Sequence, residues 1–396
     1  MHSSLRPRVL VACKQNWDSI AEIPYVLYKG GCQVDVLCSQ NSWLLKNSFF
    51  HNWINISNLS DYPQKLTSLA STGQYDWIIP GDEELLNFLN EHISDESMFY
   101  KILPLNNIRN RGILGSKKGL SELCDKLSII SPKTLTYENN HDLHFHELQS
   151  FQFPVLVKLD HSSSGAGIVL CNNVESLLSE LKNTIYSKHG FIIQEFIKGK
   201  DVGVESLFLD GQLLVYQSSV ALEYTGSIFT PAQKREYFES SEIGKVVKSI
   251  GHTIGINGFA SIQLIHNRTD DKYYLLEADL RPQAWFRYGE FTGHDFSIGV
   301  EMFTGQRPID LNYYKNKERN VSKTEVSLFL RSIKAFAENR NFSILAEWIR
   351  KKSNWKFIPF YDTVFMKHII RGVGIGFINI IKTRLGFTST SRRSPS

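Results

Sequence analysis

The chain has 396 residues, 42% of them hydrophobic and 21% charged, which excludes a disordered chain and leaves room for two or three domains with a sizeable core. The formal net charge is only +4, but from residue 311 onward 17 Lys/Arg stand against 5 Asp/Glu, so the remainder carries 27 against 35. That asymmetry predicts a basic C-terminal module that meets something anionic. The five cysteines (Cys13, Cys32, Cys38, Cys124 and Cys171) lack metal-type spacing and suit a reduced, cytoplasmic setting. No signal-peptide pattern opens the sequence, and no apolar run approaches the ~20 residues that span a bilayer.

In chain order, residues 8–13 read as a buried strand. Ser19 to Glu22 form a capping-box pattern opening a helix that ends at Gly30-Gly31, and residues 32–37 are a second strand. Strand, helix and strand at this spacing make a parallel βαβ unit. Residues 75–80 are a further strand. Asp82 and Glu83 then begin a helix with Leu85, Leu86, Phe88 and Leu89 inward. The first part is therefore an open α/β sheet, and ligands favour the carboxyl ends of such strands. Asp82 and Glu83 either face a substrate there or cap the helix. Lys117-Lys118 start another helix that runs to about Leu127.

The central stretch has a more specific pattern. Residues 155–158 are β-branched-rich and end in Lys158; Ser162, Ser163, Ser164, Gly165, Ala166 and Gly167 follow, and then a second apolar run. Strand, small-residue loop and strand lets backbone N–H groups surround an anion, with the lysine as a point charge. An ordinary hairpin with a solvated lysine has the same pattern. Residues 173–188 read as an amphipathic helix, leading to the strand Phe191-Ile-Ile-Gln194-Glu195-Phe-Ile197 and then Gly199-Lys-Asp201. Residues 202–217 alternate as a hairpin turning at Asp210-Gly211. Residues 223–235 are a long polar connection of the kind that forms lids, with Lys234 and Arg235 either on a solvated surface or touching phosphate or a substrate carboxylate. Residues 241–254 are a helix ended by Gly255.

Two apolar strands follow, carrying Gln263 on the first and Glu277 and Asp279 on the second. Residues two apart on a strand share a face, and Gln263 can meet them across the ladder. Two carboxylates and an amide oxygen are hard ligands suited to Mg²⁺ on phosphates, and Arg281 adds an anion-binding fork. A charged, solvated strand edge is the alternative. Trp285 is expected to pack against the next helix.

In this order the pieces resemble the ATP-grasp superfamily, the carboxylate–amine ligases and carbamoyl-phosphate-synthase-like ATP-binding folds, over about residues 100–300. The resemblance implies an α/β and α+β protein. An N-terminal open parallel sheet (pre-ATP-grasp, 1–110) precedes a two-subdomain ATP-grasp fold (111–310, divided at 116–193 and 194–310). A mostly helical basic extension follows (311–396). It implies ATP held by Lys118 (Lys117 the fallback), Lys158, the residues 162–167, Gln194, the backbone of Glu195 and Ile197 at an adenine hinge, and Asp201 on the ribose. Gln263, Glu277 and Asp279 hold Mg²⁺, two ions by the usual count, with Mn²⁺ an alternative; Lys158 and Arg281 act in catalysis. Family members mostly place an acid at the position of Gln263 and Asn at that of Asp279, so the two types look exchanged here.

The implied reaction activates a carboxylate as an acyl phosphate and joins it to an amine, as an amino-acid or peptide-like ligase. A carboxyphosphate-type partial reaction and a non-catalytic ATP-binding module are the alternatives. Partners are small-molecule carboxylates and amines, without nucleic acid, and the assembly is open between monomer and homodimer. In the C-terminal module, residues 322–352 read as mostly helical and residues 388–396 as disordered. The uncharged run 372–381 is short for a span, which leaves a helical appendage or a peripheral contact with an anionic membrane at its inner face.

Overall fold

The computed structural model describes residues 6–162, 165, 167–224, 229–310, 323–330, 332–333 and 342–371. The readings of residues 372–381 and 388–396 lie outside them. Three sheets organise the chain. The first is parallel, ordered β3-β2-β1-β4, from β1 (Arg8–Cys13), β2 (Gln33–Cys38), β3 (Asn52–Asn55) and β4 (Trp77–Pro80). Its helices are α1 (Ile23–Lys29), α2 (Tyr62–Ser71), α3 (Glu83–His92) and α4 (Glu96–Ile102). Leu10, Leu37 and Ile78 face α2 to α4, while Val9, Val11 and Val36 face α1, so these strands are buried on both sides, as in parallel sheets generally.

Helix α5 (Lys117–Leu127) leads to the second sheet, antiparallel, ordered β5-β8-β6-β7, from β5 (Thr134–Tyr137), β6 (Val155–Leu159), β7 (Ile168–Cys171) and β8 (Phe191–Glu195). Two short helices, α6 (Phe145–Leu148) and α7 (Val174–Glu180), accompany it. The third sheet is a six-stranded antiparallel one, ordered β13-β12-β9-β10-β11-β14. Its strands are β9 (Lys200–Leu209), β10 (Gln212–Tyr224), β11 (Ala232–Phe238), β12 (Gly258–Asn267), β13 (Lys272–Asp279) and β14 (Thr324–Ser327). Helix α8 (Ser241–Ile254) packs on it, and α9 (Phe296–Phe303) joins it to the first sheet through Val300, Val215 and Phe259. The C-terminal part adds α10 (Phe342–Arg350) and a helical stretch at 363–371.

Several expectations are corrected. Ser19 lies inside a 3-10 turn (Asp18–Ile20) rather than capping a helix, and the Glu22 side chain leaves α1 for Arg287 and Tyr361. The helix expected over 173–188 stops at Glu180 and resumes as a 3-10 turn, Thr184–Ser187. Both described ends of the polar connection before Arg235 are strand, because β11 pairs with β10 from Tyr224↔Ala232 onward. The helical reading of 322–352 misses β14, which pairs with β11 through Arg235↔Val326. Thr324, Val326 and neighbouring polar residues alternate over too few positions to announce a strand, and the pairing comes from a partner 90 residues away.

Candidate active site

A cleft of about 1090 Å³ opens between the second and third sheets. One wall is a face of β6 and β8. Side chains alternate along a strand, so Val155, Val157, Phe191 and Ile193 enter the small core while Leu156, Lys158, Ile192 and Gln194 face the cleft. Burial of each large apolar side chain contributes roughly 1.5–3 kcal/mol. A one-residue slip would put that apolar set into the cleft, so the core fixes where Lys158 points.

Lys158 is buried, and its Nζ donates to Gln194 Oε1 at 2.7 Å. Gln194 Nε2 donates in turn to Thr134 Oγ1 at 3.1 Å. Burial lowers the Lys158 pKa to about 8, with Glu277 opposing the shift and Lys117 adding to it. After β6 the chain turns back onto the start of α5. Asp160 accepts from Ser116 Oγ (2.9 Å) and from the Lys118 backbone N–H (2.8 Å), and so caps that helix. Lys117 Nζ donates to the Asp160 carbonyl at 3.2 Å and to that of Ser162, and lines the cleft. Lys118, the expected phosphate contact, is corrected: its Nζ pairs with the exposed Glu138 and it does not line the cleft. Successive helical residues point about 100° apart, so only one lysine of the pair can face inward. Ser162 and Gly165 line the cleft; Gly165 and Gly167 hold φ of +79° and +70°, left-handed backbone that favours glycine. Ser163, Ser164 and Ala166 lie outside the described residues.

At the end of β8, Glu195 and Ile197 line the cleft beside Gly199 and Asp201. The Glu195 N–H itself is taken by the Lys133 carbonyl at 2.9 Å. Asp201 accepts from Tyr224 OH at 3.2 Å and from Gln263 Nε2. Burial raises its pKa, against the pull of Arg235 and Tyr224.

The opposite wall carries the acids. In the β12–β13 ladder Gln263 stands opposite Glu277 and Ser261 opposite Asp279. Asp279 accepts from Gln283 Nε2 at 2.6 Å and meets Arg281 Nη2 at 3.4 Å. Glu277 makes no hydrogen bond or ion pair among the described residues. Burial first, and the neighbouring Asp279 second, push its pKa up to about 7. Two carboxylates side by side in a half-dry cleft, Glu277 without an ion-pair partner among the described residues, favour a hard cation, so the donor set fits Mg²⁺. No group of three or more His, Cys, Asp and Glu suited to a metal occurs among the described residues, so phosphate oxygens and the Gln263 amide would complete the shell.

The structure brings Arg235 and Glu83, both weighed from the sequence, to the cleft. Arg235 is not on a solvated surface. Its Nη1 donates to the fully buried Glu205 at 2.8 Å and to Ser219 Oγ at 3.3 Å, its guanidinium lies 4.7 Å from the Trp285 ring centroid, and it lines the cleft. Trp285, expected against the next helix, is instead buried under this arginine in a cluster with Tyr237, Val326 and Trp348. Glu83, from the first turn of α3, lies 3.6 Å from Arg281 Nη2 and lines the cleft, whereas Asp82 is used up by the Leu85, Lys14 and Gln15 N–H groups. Burial and Asp279 raise the Glu83 pKa. Arg281 stacks near Trp17 (5.4 Å), and its buried Nε has no partner among the described residues.

These sheets and this cleft define a class. Residues 116–263 match the RimK-like ATP-grasp domain family. The chain is 23% identical to the D-alanine–D-alanine ligase of Buchnera aphidicola subsp. Schizaphis graminum over 227 residues, 54% of this chain and 70% of that protein. Its fold is similar to that of the L-amino acid ligase from Bacillus licheniformis, with a TM-score of 0.57 at 14% identity, covering 81% and 80% of the two chains. It is also similar to the biotin carboxylase domain of the Hydrogenobacter thermophilus 2-oxoglutarate carboxylase, solved with MgADP (TM-score 0.56, 14% identity, 77% and 70% coverage). The similarity to an ATP-grasp domain thus covers residues 116–263, and the likeness to the solved structures is one of fold.

Proposed function

We propose that the protein is an ATP- and Mg²⁺-dependent ligase that activates a carboxylate as an acyl phosphate and joins it to an amine, acting on amino-acid or peptide-like substrates. One observation carries this: Glu277 and Asp279 share a cleft with Lys158 and Arg281, so carboxylates and cations converge where a polyphosphate chain would lie. Lys117 and Lys158 hold phosphate oxygens from the α5 and β6 side. Gln194, Glu195 and Ile197 take the adenine, and Asp201 the ribose. Mg²⁺ on Glu277 and Asp279 would neutralise the phosphate oxygens as the γ-phosphoryl group moves.

The substrate carboxylate attacks that phosphorus and ADP leaves. The amine then attacks the acyl carbon, and phosphate departs carrying one of the two protons the ammonium loses. Arg281 faces the charge that builds on the acyl oxygen. Arg235, held flat by Glu205 and Trp285, presents a fixed fork to a phosphate or substrate carboxylate. No side-chain nucleophile takes part, and catalysis is positioning plus electrostatics.

The test is phosphate release from Mg-ATP across pools of amino acids and small carboxylic acids, with Glu277→Ala alongside. Release stimulated by one pool, and about a hundredfold or more lower in the variant, is expected. ATP that raises the melting temperature without any stimulated release would instead mark a binding module.

A further inference from the structure

Five of the twelve large hydrophobic side chains that stand exposed on the described surface fall within 22 residues near the C-terminus: Ile349, Trp355, Phe360, Val364 and Ile370. Apolar side chains scattered singly are ordinary, but such a concentration marks a contact surface. Between residues 349 and 371 there are six basic residues, Arg350, Lys351, Lys352, Lys356, Lys367 and Arg371, all exposed. Asp362 is the single acid, and it is buried, where it accepts from the Val364, Phe365 and Ser48 N–H groups.

The mount is fixed. Trp355 Nε1 donates to the Ile349 carbonyl at 2.8 Å, which sets its ring at the end of α10. On the helical stretch 363–371, Phe365 and Ile369 are buried against Ala21 and Trp43, while Val364, Lys367, Ile370 and Arg371 are exposed. These four are spaced three or four apart, so they form one face. Beyond Arg371 the sequence runs uncharged from 372 to 381 and then gives Lys382 and Arg384.

We propose that this face docks on the surface of an anionic lipid bilayer. The residue mixture is that of an interfacial contact: aromatic and aliphatic side chains enter the headgroup boundary while lysine and arginine meet lipid phosphates. A second copy of the chain fits badly, because a two-fold contact sets the patch against itself and brings its exposed lysines and arginines together, of which Lys351 alone is ion-paired among the described residues, with Glu325. No helix among the described residues is long and apolar enough to cross a membrane, so the contact is with the surface. No residue of this face lines the cleft, so docking and substrate entry use different surfaces.

The experiment is sedimentation of the full chain with vesicles of phosphatidylcholine alone and of equimolar phosphatidylcholine and phosphatidylglycerol. Binding at least tenfold tighter to the anionic vesicles is expected, weakening from 0.1 M to 1 M salt as the screening length falls from about 10 Å to about 3 Å. K352E/K367E/R371E should lose about a hundredfold in affinity, and F360S/I370S at least tenfold, with melting temperatures unchanged. Equal binding of the unaltered chain to both vesicle types would overturn the proposal, and that comparison holds even if a variant misfolds. So would variants that fold and still bind like the parent. A chain that ignores vesicles but dimerises in solution, and becomes monomeric on F360S/I370S, would assign the face to a second copy.

Discussion

Glu277 is held at odds with its surroundings. Its pKa stands at about 7 against an ordinary 4.5, because burial and Asp279 both disfavour the carboxylate. The folded chain therefore holds this proton more tightly than the unfolded chain. The stability that follows is fully present below pH 4.5 and is lost as pH rises to about 7. Glu277→Gln should remove that loss. Urea unfolding at pH 8 should show the variant more stable by about 1–3 kcal/mol, with the difference gone at pH 4.5. Lys158 opposes the trend only at higher pH. Its pKa of about 8 lies below the ordinary 10.5, so its destabilising effect is complete below pH 8 and is relieved between 8 and 10.5. If the Glu277 carboxylate holds Mg²⁺ as proposed, Mg-ATP affinity in the parent should rise through pH 7 while the apo stability falls.

At the scale of elements, the site is an agreement between β9, β11 and the strands that carry the acids. The Arg235 guanidinium lies on Gly203: a Cβ added there would sit 2.6 Å from Nη1. Glu205, Ser219 and Trp285 leave the guanidinium little room to move. Gly203→Ala should therefore lower kcat/KM by roughly tenfold or more, as expected of a misplaced anchoring group, with a melting temperature within a few degrees of the parent. An unchanged kcat/KM would separate Arg235 from the reaction.

How legible these elements were in the sequence follows from how local their signals are. The β12–β13 hairpin, with Gln263 opposite Glu277, could be read because apolar alternation and a polar turn lie within 22 residues. So could α8, with Gly255 at φ +79° ending it. Arg235 could not be read as held in the cleft wall, because its partner Glu205 is 30 residues away and its cover, Trp285, is 50 away. Lys117 and Lys118 were inseparable because sequence gives no rotation about a helix axis. Asp160 at the α5 cap left no signal at all, since the cap reaches across 44 residues to Ser116.

On the scale of the molecule, one buried cluster ties the beginning, the middle and the end of the chain. Glu22 meets Arg287 Nη1 at 3.3 Å and accepts from Tyr361 OH at 2.6 Å, while Arg287 Nη1 also donates to the Phe357 carbonyl at 3.1 Å. Burial raises the Glu22 pKa, with Arg287, Tyr361 and Tyr288 opposing. Removing one member of a buried pair leaves the other uncompensated, at a cost of about 3–5 kcal/mol. Glu22→Ala should be destabilised by that order in a urea melt, softened by Glu290, which stays 3.3 Å from Arg287 Nε. The double variant E22A/R287M should recover part of the loss. A double variant no better than the single one would remove the ion pair from the explanation.

The pairing of β14 with β11 also decides what happens if the chain is shortened. β14 covers Lys234 to Tyr237 on the outer side of the six-stranded sheet. Without it, β11 would present its unpaired N–H and C=O groups to solvent, a template for strand addition by any extended segment nearby. Proteolysis just before Lys323 should therefore turn a well-behaved protein into one that self-associates, with light scattering that grows with time and concentration. On that view the short strand is a guard against fibre-like growth, carried by the same C-terminal segment that holds the basic face.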